Sequence, residues 1–164
     1  MSSETYRYTS TVVAKYIAAY LNNKRADINI TKIQKLTYIM YGTWLAVKNE
    51  RLTDECPQAW PYGPVFPTTR NKLLKIDINS ISLSDSDLNE ISKDEDINTL
   101  MDLIYNTFGK WSASVLSEWS HKEGSPWEKA VSNKNFKWGG AINDEDIKSY
   151  FKKIIIPKDG EKES

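Results

Sequence analysis

A single cysteine, Cys56, and a single histidine, His121, leave this chain of 164 residues almost without thiol or soft-ligand chemistry. One cysteine forbids an internal disulfide, and two soft side chains cannot close a tetrahedral zinc site. No apolar run approaches the roughly 18 residues of a membrane-spanning helix, and Met1-Ser2-Ser3-Glu4 has neither the basic nor the apolar part of a secretion signal. The expected location is the cytoplasm, with no contact to a membrane. Walker, GxGxxG and HExxH patterns are absent from the sequence, so no cofactor or metal is expected. A formal net charge of zero argues against direct nucleic-acid binding, which normally shows as a strongly basic domain.

The neutrality is a balance of unequal halves. Residues 1–75 hold eleven Lys and Arg against five Asp and Glu, whereas 76–108 hold eight acids against Lys93 alone. The plain reading is a solvated surface whose halves attract once folded; the sharper one is a polar binding face.

Prolines and glycines are few, but residues 59–67 concentrate them: Pro61, Pro64, Pro67 and Gly63 alternate with Trp60, Tyr62 and Phe66. Each proline fixes its own φ and restricts the residue before it, while Gly63 is the position free to take positive φ. The segment is therefore a stiff elbow, with one or two short strands leading into it. Its three rings should bury against helices or against a partner.

The rest reads as helix, and together the pattern predicts a mainly α, single compact domain of five to six helices. Val13, Tyr16, Ile17, Tyr20 and Leu21 recur at helical spacing after a cap at Ser10 or Thr11. A second helix opens on the capping box Thr31-Lys32-Ile33-Gln34 and carries Ile33, Leu36, Met40, Trp44 and Val47 on one stripe. Tyr38, Ile39, Tyr41 and Leu45 extend its apolar surface around the cylinder, which marks it as central. Thr68 or Thr69 can cap a short helix through Leu73. Residues 76–92, rich in Ser and Asp, read as a mobile loop of weak extended character. Ser92-Lys93-Asp94-Glu95 opens a helix with the core stripe Ile97, Leu100, Met101, Ile104 and Phe108, closed by Gly109 in the left-handed conformation. Helices from about Ser112, from the box Ser125-Pro126-Trp127-Glu128, and from Asn143 follow. The domain is expected over 10–153, with 1–9 and 154–164 as flexible termini and 157–164 as a charged, disordered tail.

Catalytic readings are weak. Cys56 as nucleophile with His121 as base has no supporting motif, and an isolated cysteine behaves more often as a small hydrophobe. His121 ends one helix just before the cap of the next, where an imidazole can satisfy terminal carbonyls; the functional alternative is a hydrogen-bonding contact to a partner. Of the six tryptophans, Trp44, Trp119 and Trp127 are assigned to the core, Trp60 and Trp111 are open, and Trp138, beside Gly139-Gly140, is the preferred exposed one.

The order Lys32-Ile33-Gln34-Lys35-Leu36-Thr37-Tyr38, Ala59-Trp60 with Gly63-Pro64-Val65, Leu116-Ser117 before His121, and Pro126-Trp127 resembles the Panacea domain, also called the SocA-like antitoxin domain. The resemblance implies a non-enzymatic module of bacterial and phage toxin-antitoxin pairs that neutralises a cognate protein toxin. It also implies a possible second partner, an ATP-dependent protease to which the toxin is delivered. Family motif positions Trp60, Tyr62, Gly63, Pro64, Val65 and His121, with Trp138, are the expected partner-binding residues. Leu36, Tyr38, Trp44, Trp119, Pro126 and Trp127 are the expected structural ones. The alternative is a phage or prophage accessory protein that uses the same face to inhibit a host defence or housekeeping protein.

Overall fold

Every residue from Lys32 to Ala46 is buried, which makes α2 (Ile30–Lys48) the axis of the molecule. A helix buried on all sides needs apolar side chains all round, and this is the one helix whose sequence supplies them. The computed structural model describes residues 5–155. Around α2 pack α1 (Ser10–Asn23), α4 (Glu95–Phe108), α5 (Ala113–Ser120) and α7 (Asp144–Ile155), while α3 (Pro67–Leu73) and α6 (Pro126–Val131) are shorter. Among the described residues there are thus seven α-helices where five to six were expected, and the domain is mainly helical as the sequence predicts. No helix of the described residues is long and apolar enough to cross a membrane.

Gly42 of α2 lies directly against the Phe151 ring of α7, which an added Cβ would strike. Phe151 also meets Tyr38 edge-on at 5.5 Å and Trp119 at 6.1 Å, and Trp119 continues to Phe108 at 5.1 Å. Trp44 is fully buried, as expected, whereas Trp119 and Trp127 are half-buried against the core.

Pro61 and Tyr62 form the two-residue tip of a hairpin whose strands are β1 (Gln58–Trp60) and β2 (Gly63–Val65), in the register Trp60 to Gly63 and Gln58 to Val65. The other edge of β1 takes up backbone from 139–142: Ala59 N–H donates to Gly140 O at 2.8 Å and Gly139 N–H donates to Ala59 O at 3.0 Å.

Several local expectations are corrected. Helix α1 is capped by Thr9 and α2 by Asn29, one residue or more ahead of the predicted caps. Gln34 therefore does not close a capping box. Helix α3 starts on Pro67 after Phe66 and has no side-chain cap of its own; Glu55 accepts instead from the N–H of Thr68 at 2.6 Å and of Thr69 at 3.4 Å. Gly109 ends α4 with φ −63°, right-handed rather than left-handed, with the Tyr105 ring filling the space beside it. Helix α4 is capped by Asp94, which accepts from the N–H groups of Asp96 and Ile97, and not by Ser92, which lies in the turn before it; the caps at Ser112, Ser125 and Asn143 stand as read.

Residues 76–92 are not an extended loop. They form 3-10 turns at Ile78–Ser80, Ser86–Leu88 and Ile91–Lys93 that bury Ile81, Leu88 and Ile91. Asn22 of α1 fixes them by donating to the carbonyls of Ile78 and Ile81, both at 2.9 Å. The unequal charge halves meet here, in the pairs Lys15 with Asp87 at 2.8 Å, Arg7 with Asp94 at 3.1 Å and Lys48 with Asp96 at 3.0 Å. Residues 7 and 8 are likewise tied rather than free, since the N–H groups of Arg7 and Tyr8 donate to Leu52 O. At the other end Ile154 belongs to α7, and the expected tail at 157–164 lies outside the described residues.

Candidate functional site

The elbow is held in place by side chains that reach it from three helices. Gln34 grips Phe66 through both amide atoms, its Nε2 donating to Phe66 O at 3.2 Å and its Oε1 accepting from Phe66 N–H at 2.7 Å. Lys35, one residue on, donates from Nζ to Pro64 O at 3.2 Å. From α6 the indole N–H of Trp127 donates to Trp60 O at 2.7 Å. Gly63 has φ +118°, and a Cβ there would fall 2.6 Å from Ser120 Oγ of α5 and 3.0 Å from Lys35 Cε. Only glycine combines that backbone with that approach. Phe66 is fully buried, Trp60 half-buried, and Tyr62, at the tip, 73% exposed.

Between this hairpin, the first turns of α2 and α3 lies a groove of about 350 Å3 lined by Gln34, Lys35, Trp60, Tyr62, Val65 and Arg70, among others. The Arg70 guanidinium lies over the Trp60 ring at 5.5 Å, an attractive arrangement for a cation on an aromatic face. Lys35 is only 2% exposed, and burial pulls its ammonium down to a pKa of about 8, so it is still largely charged at neutral pH.

His121 and Trp138 adjoin the hairpin in a ladder of rings: His121 against Trp127 at 5.1 Å, Trp127 against Trp138 at 6.3 Å, and Trp138 edge-on to Phe136 at 5.0 Å. Trp138 is 59% exposed, as its Gly-rich surroundings predict, and borders a second concavity of about 660 Å3. The imidazole of His121 does not cap α5. Its backbone N–H donates to Glu118 O at 3.4 Å, while Nδ1 is buried without a hydrogen-bond partner.

The expected partner-binding residues thus fall on one hairpin and the ladder beside it, and the expected structural ones, Leu36, Tyr38, Trp44, Trp119, Pro126 and Trp127, sit inside or against the core. Gln34, Lys35 and Arg70 are not among the expected partner-binding residues, although Gln34 and Lys35 lie in the run that carries the family resemblance. The available signal was the cluster of long polar side chains, Lys32, Gln34 and Lys35, at the start of a helix whose apolar girth marks it as buried. Cys56 lies against the Arg51 guanidinium and 3.9 Å from the Tyr41 hydroxyl, which itself donates to Asp144 at 2.6 Å; His121 packs on Trp127 instead. What the groove offers is recognition chemistry: two aromatic faces, a stacked guanidinium and a buried ammonium.

Comparison with known proteins bears on the same segment. The sequence profile of the family described as "Antitoxin SocA-like, Panacea domain" matches residues 33–128, which run from α2 through the hairpin to α6. The chain is also 30% identical, over 162 residues, to "Antitoxin SocA" of Caulobacter vibrioides (strain NA1000 / CB15N), an alignment covering 86% of this chain and 83% of that one. No solved structure matches.

Proposed function

The chain belongs to the SocA-like Panacea-domain antitoxin family, and from that membership we propose that it neutralises a cognate protein toxin by direct contact through the hairpin and its groove. The observation that carries this reading is the likeness to an antitoxin over most of both chains. The hairpin supports it physically. A recognition surface that is already rigid before binding loses less entropy on association, and this one is clamped by Gln34, Lys35 and Trp127. The module acts without catalysis, and in the cytoplasm. Delivery of the toxin to an ATP-dependent protease is a further step the same surface permits, if one face holds the toxin and the ring ladder from His121 to Trp138 faces the protease.

Expression of the reading frame beside this gene, alone and together with it, tests the proposal. Growth arrest by the neighbour alone, relief on co-expression and copurification of the two products are the expected results. A neighbour that is harmless alone removes the antitoxin reading, and a pull-down that recovers a host protein and no toxin selects an inhibitor of host machinery in its place.

A further inference from the structure

Lys35 is a buried cation with no anion to answer it. Its ammonium has three donors, one of which is used on Pro64 O, and it makes no ion pair among the described residues. Three other partly covered cations have carboxylates, Arg7 with Asp94, Lys15 with Asp87 and Arg51 with Asp144 at 3.7 Å, while Lys32, as buried as Lys35, has the charge of Asp27 near it. The groove that Lys35 borders contains no acidic residue among its lining, and its second cation, Arg70, lies over the Trp60 ring and makes no ion pair among the described residues. A charge withdrawn from water and left without a counter-charge is costly to keep, and the cost is recovered when an anion is brought to it.

We propose that this groove takes an acidic side chain of the protein partner, whose carboxylate lies against the Lys35 ammonium while an adjoining apolar side chain rests on Trp60 and Tyr62. The proposal rests on the antitoxin reading only for the biological identity of that partner. The groove's small size and single buried cation suit one carboxylate rather than a phosphate chain, and the exposed Tyr62 with the stacked Arg70 is the residue chemistry that protein interfaces favour. A carboxylate at Lys35 also holds the lysine in its charged form, so binding and protonation support one another.

The test uses the full chain and three N-acetylated peptides: acetyl-Leu-Glu-Leu-amide, its Gln counterpart, and acetyl-Leu-Leu with a free C-terminal carboxylate. Titration is read by 15N NMR at the Trp60 indole N–H. The Glu peptide is expected to bind about fivefold or more tightly than the Gln peptide. Lys35→Met should level the two, with its fold checked by circular dichroism. Tyr62→Ala, at the exposed tip and harmless to folding, should weaken both alike. Equal affinities, no shift at Trp60 with any peptide, preference for the free C-terminus, or indifference to Tyr62→Ala would each overturn the proposal. These outcomes separate from the antitoxin test. Toxin neutralisation without Glu preference sinks the groove assignment alone, and Glu preference without a toxin leaves the groove standing and removes its presumed partner.

Discussion

Gly63 shows how a single position commits the whole elbow. Its φ of +118° alone disfavours any side chain, and the approach of Ser120 Oγ to 2.6 Å from a would-be Cβ leaves no room for the backbone to relax toward α5. Lys35 Cε, at 3.0 Å, crowds the same would-be Cβ. Gly63→Val should therefore lower stability by about 2 kcal/mol or more and displace the Lys35 contact to Pro64. Urea unfolding measures the first, and the second appears as loss of any Glu-over-Gln preference in the groove. A Gly63→Val protein with an unchanged urea midpoint would show that β2 tolerates another path. Lys15→Ala provides the contrast, since the Lys15 pair with Asp87 is solvent-exposed and its loss should change stability by less than about 0.5 kcal/mol.

Among the elements, α3 depends most on a residue outside itself. Its N-cap position is Phe66, which has no polar side chain, so the orphan N–H groups of Thr68 and Thr69 turn to the Glu55 carboxylate. The same carboxylate accepts from Ser10 Oγ at 2.8 Å and so ties the start of α1 to the start of α3. Glu55→Ala should cost about 1 to 2 kcal/mol, and hydrogen exchange at Thr68 and Thr69 should accelerate more than exchange in α2. Uniform exchange across the two helices would mean that the cap is redundant. Because α3 carries Arg70, the same variant should also loosen one wall of the groove. This arrangement marks the limit of what the sequence discloses. Elements governed by their own residues were legible: α2 by its apolar girth, α4 by the stripe from Ile97 to Phe108, the elbow by its prolines. Elements governed by distant residues were not. Glu55 caps a helix twelve or more positions away, Gln34 looks like part of a local cap and instead grips Phe66, and the Ser- and Asp-rich 76–92 segment is held by Asn22 of α1, which bonds the carbonyls of Ile78 and Ile81 from 56 and more positions away. Lys35 was hidden for the same reason. Nothing within its own turn says that a hairpin carbonyl 29 residues on will cover it.

At the scale of the molecule, stability at alkaline pH is a contest between buried lysines and covered tyrosines. Burial lowers Lys35 to about 8 and also lowers Lys32, so above about pH 8 the folded chain has released a proton that the unfolded chain keeps until its lysine titrates near 10.5. The unfolded state then binds more protons, and stability rises with pH through that window. Tyrosines act in the opposite sense. Burial, followed by hydrogen bonding to Asp94, raises Tyr8 to about 12, and burial first of all raises Tyr16, Tyr20, Tyr38, Tyr41 and Tyr150 as well. Above pH 10 the folded chain holds protons on these rings that the unfolded chain gives up, and stability falls. Six tyrosines outnumber the two lysines, so the descending limb must be the steeper. Urea midpoints taken at about pH 7.5, 9.5 and 11.5 should pass through a maximum at the middle value. In Lys35→Met the rise between the first two points should shrink, because a contribution on the order of 2 kcal/mol from the displaced lysine over that interval is gone, while the fall above pH 10 is kept. A wild-type curve that declines steadily from pH 7.5, or a Lys35→Met curve that still climbs as steeply, would mean that the Lys35 ammonium is better solvated or better paired in the folded chain than its lone contact to Pro64 O implies. The groove would then have no unanswered charge for a partner to meet.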